Sequence, residues 1–431
     1  MIRLRAMLSY PQTMGRLGRG TLLSTVGLVL RALVQGAYLI LLSRWMGPEG
    51  YGLFSGIVAA GVVLAPLAGW GLPLLLTERV AKNPAHAAEY WRGALRRLLA
   101  TGFILATLYV ALMGTLLSAS VGLMVLAMAA SAELLLLPMA QSAAALCLGL
   151  GRAAAATAAV VVVPLGRLAA LLLIPLLGLD ATASTVILLH FLGTIVGALA
   201  ALAVVLSVVG WRAGRTGRTV SDSPRHSAQY AVGAGMAVGY QELDKVLLLQ
   251  LAGAAVTGQY TAAFRVASVF VLPIAALLGM ALPRLFASYG TPSGGPLLRA
   301  LLASSLAYGV CAGIGVIAIA PYLHLILGSE FSVSSAYLAI LAPWPLLFAL
   351  HQVAGAALTS AGRQGERIAI EGTVFAAAVA TNCLLIPHLG GGSAVLTLLV
   401  AELLMALACA TVWRMRRAVP SGGPADTSRN L

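Results

Sequence analysis

Apolar residues dominate this chain in runs of about 20 or more, separated by short polar segments. A helix of that length crosses a hydrocarbon core of roughly 30 Å, and it satisfies its own backbone hydrogen bonds where lipid offers no partners. The pattern therefore predicts twelve membrane-spanning helices, at 21–43, 52–77, 98–117, 121–149, 153–177, 185–210, 228–252, 260–285, 299–320, 335–360, 367–388 and 392–413.

Composition agrees with this pattern. Of the 431 residues, 60% are hydrophobic and 9% are charged, whereas soluble domains carry roughly a quarter charged residues. The apolar runs continue from end to end and leave no segment for a separate soluble domain. We therefore predict an all-α polytopic membrane protein with twelve transmembrane helices.

The basic residues predict the orientation of the spans. Counting the connections alternately, 22 of the 27 Lys and Arg residues fall on one side, and the opposite connections hold only Arg44. Lys and Arg accumulate in cytoplasmic loops, so both termini are predicted to be cytoplasmic. This topology accounts for the net charge of +14, and we predict no nucleic-acid partner.

The longest basic connection divides the spans into six plus six. The predicted organisation is a cytoplasmic N-terminus at 1–20, an N-lobe at 21–210, a basic cytoplasmic linker at 211–227, a C-lobe at 228–413 and a disordered cytoplasmic tail at 414–431.

A weak internal repeat supports this division. An offset of 206 residues aligns Gly47, Gly52 and other positions of the first half with Gly253, Gly258 and their neighbours, and Gly151-Arg152 has an echo in Gly362-Arg363. Because six spans is an even number, the two halves would share one orientation, as the parallel repeats of transporters do.

Four cations lie within predicted spans: Arg31, Arg167, Lys245 and Arg265. A charge at the centre of a membrane helix costs roughly 2.5–3.5 kcal/mol on insertion, so each should face a protein interior or a wet cavity. Helical spacing places Gln35 on the same face as Arg31.

The same spacing places Gln241 on the face of Lys245. We predict these cations as cavity residues, with Gln35, Gln241, Asp244 and Glu242 as supporting polar groups.

The alternative is pairing inside the bundle. Glu133 is a partner for Arg167, and Asp244 or Glu242 is a partner for Lys245 or Arg265. Arg31 differs, because no acid lies in its own span or in the next one. A buried arginine without an acid indicates an anionic ligand.

The acids Glu133, Glu371 and Glu402 are candidates for ion coupling, since desolvated carboxylates titrate near neutral pH. Hydrogen bonds between helices are the alternative role. The histidines are dispersed without metal spacing, and no catalytic constellation can be assembled. We expect no metal, no cofactor and no enzymatic activity, with coupling to a proton gradient or to the membrane potential as the energy source.

Three segments carry a family resemblance. LLSRWMGPEGYGLFSGIVAAG at 41–61, ELDKVLLLQLAGAAVTGQYTAAFRVAS at 242–268 and LHLILGSEFSVSSAYLAILAPWPLLFALHQVAGAALTSAGR at 323–363 resemble the polysaccharide biosynthesis flippases, the Wzx-type branch of the MOP exporter superfamily.

The resemblance implies a V-shaped pair of six-helix lobes in the bacterial inner membrane that moves an undecaprenyl-pyrophosphate-linked oligosaccharide outward. The cargo would be an O-antigen, capsule or exopolysaccharide repeat unit. The family's cavity is cationic, and its arginines match Arg31 and Arg265 here. A polysaccharide polymerase is an implied partner, and we expect a monomer.

Other functions fit the same pattern of spans. A drug or metabolite exporter coupled to H⁺ or Na⁺ would share the architecture, and such exporters tend to use acidic cavities for cationic substrates. A membrane-bound transferase would need a catalytic His or paired acids near a membrane face. A scaffold of a polysaccharide assembly complex is the third alternative.

Overall fold

The computed structural model describes residues 2–117, 121–209, 224–289 and 291–417, and every regular element in those ranges is helical. This confirms the all-α prediction. The α-helices are α1 (Ile2–Leu64), α2 (Leu72–Lys82), α3 (Ala87–Leu117), α4 (Leu123–Ser131), α5 (Leu137–Gly149), α6 (Ala153–Leu171), α7 (Leu173–Leu177), α8 (Ala183–Val209), α9 (Pro224–Leu251), α10 (Ala254–Val269), α11 (Leu272–Ser288), α12 (Gly294–Ile319), α13 (Leu323–Leu327), α14 (Ser332–Ile340), α15 (Trp344–Ser360), α16 (Gln364–Leu389) and α17 (Gly391–Arg417).

The described residues contain 8 helical segments long and apolar enough to cross a membrane, or up to 10 if each of two bent pairs is one span. The chain is therefore a multi-pass membrane protein. The first segment, Val29–Lys82, has 54 residues and covers two of the predicted spans. The helix α9 carries three charges within four positions and is not among the apolar segments.

Glycines with positive φ end helices at equivalent points of the two sequence halves. The first pair interrupts the helices at the end of predicted spans one and seven, where φ is 64° at Gly47 and 87° at Gly253. Positive φ is accessible to glycine at little steric cost. The backbone thus reproduces the predicted repeat at three pairs of turns: Gly47 and Gly253, Gly151 and Gly362, and Gly178 and Gly390.

One compact unit, here called unit 1, comprises Met1–Ala262 together with Leu323–Val333. One of its close helix crossings joins α6 to α8, where a Cβ atom on Gly193 would lie 2.6 Å from the Cα of Arg167. Small residues allow membrane helices to approach closely in this way. The crossing brings the side chain of Arg167 next to α8.

The other compact unit, unit 2, comprises Ala263–Tyr322 and Ser334–Leu431. Within it α15 packs against α11, α12, α16 and α17. Trp344 at the start of α15 is buried and stacks on Phe264, with ring centroids 4.9 Å apart. The acids of α16 and α17 are positioned by this packing around α15.

Several predicted boundaries fall at the edges of the described residues. The predicted linker at 211–227 and tail at 414–431 lie outside them, except that α9 begins at Pro224 and α17 ends at Arg417. The predicted N-terminal segment at 1–20 is helical from Ile2 onward.

Candidate functional site

A buried carboxylate organises the polar interior of unit 1. Glu133 lies in a π-helical segment, Ala132–Leu136, between α4 and α5. The Nη2 atom of Arg167 donates to its Oε1 at 2.7 Å, and the Glu133 side chain is 1% exposed. This ion pair confirms the predicted pairing of the two residues. Single π turns inside α-helices are frequent at functional sites.

Two further side chains complete this group. The Nε2 atom of His190 lies 2.7 Å from Glu133 Oε1, and the Tyr38 hydroxyl lies 2.9 Å from His190 Nδ1. We call Tyr38, Glu133, Arg167 and His190 the first cluster. Its one acid and one arginine balance when the histidine is neutral. The Oε2 atom of Glu133 is buried and has no hydrogen-bond partner among the described residues.

A cavity of about 600 Å³ opens within unit 1 beside α1, α5 and α6. Its lining is mostly Ala, Val, Leu, Pro and Gly, and it includes the polar side chains of Thr77, Gln141 and Thr157. Arg31 is the one charged residue among the described lining residues. The cavity is therefore an apolar space with a single cationic wall position.

Arg31 makes no ion pair with an acid of the described part of the chain. The positive charge that acts on it is that of Arg167, which already pairs with Glu133. Counting these three groups, the interior beside the cavity carries one uncompensated positive charge. An uncompensated buried cation favours the binding of an anion.

The cavity lies toward the basic connections of unit 1. Thr77 in its lining is two residues before Arg79, and Ala156 is four residues after Arg152. By the predicted orientation, these connections are cytoplasmic.

Lys245 lies in a separate group on α9. Its side chain has no exposed surface, and its Nζ atom lies 3.1 Å from Asp244 Oδ1 and 3.5 Å from Glu242 Oε2. It also donates to the backbone carbonyl of Gln241, and the Tyr260 hydroxyl donates to Asp244. The predicted pairing of Lys245 with Asp244 and Glu242 is confirmed. Lys245 is an ion-paired residue and does not line the cavity.

The remaining predicted site residues occupy different places. Gln35 on α1 and Gln241 on α9 are exposed. Arg265 is half-buried on α10 within unit 2, and its backbone carbonyl accepts a hydrogen bond from Ser268. Neither glutamine, nor Arg265, nor Arg167 belongs to the cavity lining.

Unit 2 contains a second polar group around a histidine of α15. The Nδ1 atom of His351 lies 2.8 Å from Glu402 Oε2, and its Nε2 atom lies 3.1 Å from Glu371 Oε1. Arg367 donates to Glu371 Oε1 at 2.6 Å, and the Trp344 indole donates to Glu402 Oε1 at 3.2 Å. We call these five residues the second cluster.

The second cluster has a different charge balance from the first. Glu371 and Glu402 supply two negative charges and Arg367 one positive charge. The group is therefore neutral only when both ring nitrogens of His351 are protonated and the ring is positively charged. With two acids and one arginine, the second cluster reaches neutrality by binding one further positive charge. No group of three or more His, Cys, Asp or Glu suited to a metal ion occurs in the described ranges.

Sequence reasoning missed both histidines, because they meet their acids across helices and not along one helix. His190 is 57 positions from Glu133, and His351 is 51 positions from Glu402. The repeat relates the Glu133–His190 contact to the Trp344–Glu402 contact of the second half, and it does not involve His351. Glu133 and Trp344 lie 211 residues apart, and His190 and Glu402 lie 212 apart, so both contacts join equivalent positions.

Comparison with solved structures defines the fold. The inward-facing form of a multidrug resistance MATE family transporter of the MOP superfamily is similar to this chain, with 14% identity, 92% of this chain and 98% of that chain covered, and a TM-score of 0.70. A MOP superfamily transporter from Pyrococcus furiosus has 14% identity, coverage of 94% and 95%, and a TM-score of 0.61. The lipid II flippase MurJ in an inward closed conformation has 11% identity, coverage of 91% and 87%, and a TM-score of 0.67. The protein thus has the same fold as these MATE-type transporters.

A family model identifies the family of the chain within this fold. The model described as polysaccharide biosynthesis protein matches residues 17–288, which is more than half of the chain. The chain belongs to that family. No curated protein matches it.

Proposed function

We propose that this protein is a flippase that moves an anionic lipid-linked oligosaccharide from the cytoplasmic to the outer leaflet by alternating access. The observation that carries the proposal is Arg31, which makes no ion pair with an acid of the described residues and lies in the wall of a mostly apolar cavity. Membership of the polysaccharide biosynthesis family supports the same class of cargo.

The chemistry of the cavity suits an amphiphile with a phosphorylated head. A guanidinium presents several N–H donors in a fixed plane that matches phosphate oxygens. Apolar walls accept isoprenoid methyl groups, and Thr77, Gln141 and Thr157 add neutral hydrogen-bonding groups that suit sugar hydroxyls. A volume of about 600 Å³ accommodates a head group and part of a chain, within the usual range for ligand pockets.

The test is to neutralise Arg31. We expect Arg31→Gln to lower surface polysaccharide roughly 10- to 100-fold, because a hydrogen bond to a charged group contributes about 1.5–3 kcal/mol. Arg31→Lys should retain part of the activity, since it keeps the charge and loses the planar donor pattern. The measurement is surface polymer in a strain that lacks its own flippase.

Lys82→Gln is the matched control. The Lys82 side chain is 66% exposed and pairs with Glu78 on the same helix, outside the cavity. Its loss removes one positive charge without touching the proposed site, so polymer should stay at the parental level. Equal polymer from the Arg31→Gln strain and the parent, at equal protein level, would exclude the proposed role of Arg31.

We place ion coupling in the second cluster. With Arg367 counted, the second cluster lacks one positive charge for neutrality when His351 is neutral, and a transported proton would supply it. The other helices that pack against α15 are α11 and α12, whose charged residues Arg284 and Arg299 are exposed. Glu133 is a weaker coupling candidate because Arg167 already balances it.

The proposal includes a topology. Counting Val29–Lys82 as two crossings, each bent pair as one, and α9 as one gives twelve crossings with both termini cytoplasmic. The protein would act without an enzymatic step as a monomer in the bacterial inner membrane and deliver its cargo to a polymerase. The lobes would be the predicted segments 21–210 and 228–413.

Export of drugs or metabolites is the second candidate, and the paired acids of the second cluster favour it because cationic substrates bind acidic sites. Two assays in one strain distinguish the exporter from the flippase. An exporter would change susceptibility to cationic compounds and leave surface polymer unchanged, whereas the flippase would do the reverse. If the protein is instead a scaffold, the Arg31→Gln variant should restore surface polymer to the parental level in the strain that lacks its own flippase.

A further inference from the structure

The second cluster belongs to a longer chain of hydrogen bonds that follows α15. Arg367 donates to Gln352 Oε1 at 3.2 Å through Nη2 and to Thr359 Oγ1 at 3.3 Å through Nη1. The Thr359 hydroxyl donates in turn to Gln364 Oε1 at 2.7 Å. Gln364 begins α16 and is exposed. Polar contacts therefore connect the second cluster with the predicted cytoplasmic connection between α15 and α16.

Exposure decreases along the two acids and the histidine of this cluster. The side chain of Glu371 is 26% exposed, that of His351 is 5% exposed, and that of Glu402 is 1% exposed. Glu371 follows Arg363, a basic residue of the predicted cytoplasmic connection, by eight positions, which is about 12 Å along a helix. Carboxylates in membrane helices face protein or water and not lipid. Glu371 is therefore the solvent side of the cluster, and Glu402 is its enclosed end.

Apolar packing encloses the outer side of Glu402. The Trp344 indole that donates to Glu402 lies at the start of α15, is 1% exposed and stacks on Phe264. On α17, the buried Leu398 lies one turn from Glu402 toward the predicted outer end. The hydroxyl of Ser393 is nine positions from Glu402, about 13 Å along the helix. The chain of polar contacts thus leads from Glu402 toward the cytoplasmic side.

The ring of His351 lies between two carboxylates. Its Nε2 atom is 3.1 Å from Glu371 and its Nδ1 atom is 2.8 Å from Glu402. A neutral imidazole donates through one nitrogen only, so the other contact needs one added proton. That proton can lie on either acid or on the ring without a change in any heavy-atom position. The first cluster differs, because His190 contacts one acid and the hydroxyl of Tyr38, and a neutral ring satisfies both.

We propose that His351 relays protons between Glu371, which exchanges them with the cytoplasm, and Glu402, which holds them away from water. In the loading direction, the Glu371 carboxyl gives its proton to Nε2 of the ring, and Nδ1 gives its proton to Glu402 Oε2. The ring is neutral before and after, and the reverse transfers return one proton to the cytoplasm. This inference rests on the proposed function and assigns the order and the side of proton exchange to individual residues.

The ion pair between Arg367 and Glu371 makes Glu402 the end point of the relay. Arg367 Nε donates to Glu371 Oε1 at 2.6 Å, and Gly355 permits this position, since a Cβ atom there would lie 2.8 Å from Arg367 Nε. A proton on Glu371 weakens the ion pair. Glu402 pairs with no Lys or Arg of the described residues, so a proton on Glu402 leaves the ion pair intact.

The helices packed around α15 carry further charged or titratable side chains. Cys409 on α17 is buried and interacts electrostatically with Glu371. Arg363 and Glu366 pair with each other at the start of α16. The others are exposed or half-buried: Arg265 on α10, Arg284 on α11, Arg299, Tyr308 and Cys311 on α12, Cys383 and His388 on α16, and Arg414 on α17.

Infrared spectroscopy of the purified protein identifies the end point without cargo. A protonated carboxyl group has a C=O absorption that a carboxylate lacks. We expect acidification to produce such a band and Glu402→Gln to remove it. A band that persists undiminished in Glu402→Gln would overturn the relay, because the proton would then rest on another group.

The rate at which this band appears tests the relay. Glu371→Asp keeps the charge and withdraws the carboxylate from His351 by one methylene. After a light-triggered pH step, we expect the band to appear at least about tenfold more slowly and to reach its parental amplitude, since proton transfer requires hydrogen-bond reach. Glu366→Asp is the matched control, because it makes the same change on the same helix at an acid that pairs with Arg363 outside the cluster. Equal rates in Glu371→Asp and the parent would overturn the relay.

Thiol labelling tests the side of access. In a background with the four native cysteines replaced by alanine, Gln352→Cys places a thiol beside Arg367. We expect an impermeant thiol reagent to label it at least about tenfold faster from the cytoplasmic side, since the packed outer side opens only by local unfolding. Leu389→Cys is the control for sidedness: Leu389 is 54% exposed at the opposite end of α16 and should show the reverse preference. Equal or faster outer labelling of Gln352→Cys would overturn cytoplasmic access.

These measurements separate the inference from the proposed function. Cargo transport by the parental protein, together with an unslowed band in Glu371→Asp, would remove the relay and keep the flippase. Absence of cargo transport in the parental protein would remove the flippase, and the infrared rates and the labelling would still decide the relay.

Discussion

The two polar clusters each combine acids with one arginine and one histidine, but they differ in the number of acids. The first holds one acid, Glu133, with one arginine and His190, and the second holds two acids, Glu371 and Glu402, with one arginine and His351. The acids, arginines and histidines of both lie on the fourth, fifth and sixth predicted spans of their half, and the first cluster also includes Tyr38 on α1. With neutral histidines the first is balanced and the second is short of one positive charge.

This difference shows how a duplicated helix bundle can acquire two roles. The contact between Glu133 and His190 in the first half corresponds to the contact between Trp344 and Glu402 in the second. The two contacts occur at equivalent positions of the two halves, but the residues that make them differ. The balanced cluster holds Arg167 in an ion pair with Glu133, and the unbalanced cluster is suited to bind a proton.

The largest expected effect comes from removing the single acid of the first cluster. Glu133→Gln leaves Arg167, whose side chain is 16% exposed, without a charged partner, and should lower the free energy of unfolding by about 3–5 kcal/mol. Glu402→Gln should cost only about 1 kcal/mol, because it brings the second cluster closer to neutrality. Unfolding of the purified variants in detergent measures both.

Equal losses from Glu133→Gln and Glu402→Gln would mean that the charge balance does not distinguish the clusters. Glu78→Gln is a suitable control, since it removes an exposed acid paired with Lys82 on one helix. Its effect should stay within about 0.5 kcal/mol.

A smaller effect is expected on the pH dependence of transport. His351→Gln removes the group that would accept the proton, so the rate should fall roughly tenfold and lose its variation between about pH 5 and 10. His190→Gln should keep that variation, because the first cluster is neutral without a charged histidine. Initial rates in vesicles across this range compare the variants.

A pH profile that flattens with His190→Gln and persists with His351→Gln would reverse the assignment of the two clusters. Flattening by both would mean that each histidine takes part in proton movement. In either case the Arg31 site would be unaffected, since its charge does not change in this pH range.

The hydrophobic runs of the sequence predict much of the helical architecture, but they predict few of the side-chain contacts within the two clusters. The predicted span at 153–177 matches the apolar segment Ala153–Leu177, and the span at 185–210 corresponds to α8. Hydrophobic runs suffice there because the bilayer fixes helix length. The pairing of Glu133 with Arg167 was also within reach, because opposite charges buried in successive spans have few other partners.

The histidines and the cavity were beyond sequence reasoning. Periodicity indicates which face of a helix is polar and not which helix that face meets, so His351 gives no local sign of Glu371 or Glu402. The predicted cavity cations likewise occupy different places: Arg31 lines the cavity, whereas Lys245 is enclosed by its own acids. The side chains of neighbouring helices decide between these outcomes.

The smallest expected effect removes one hydrogen bond from each cluster. Tyr38→Phe loses the hydroxyl contact to His190, and Trp344→Phe loses the indole contact to Glu402 while it keeps an aromatic ring beside Phe264. Each should cost about 0.5–1.5 kcal/mol of unfolding free energy. Among the described residues the clusters share no hydrogen-bond partner, so the double variant should equal the sum within about 0.5 kcal/mol. A larger deviation would show that the balanced and the unbalanced cluster are coupled.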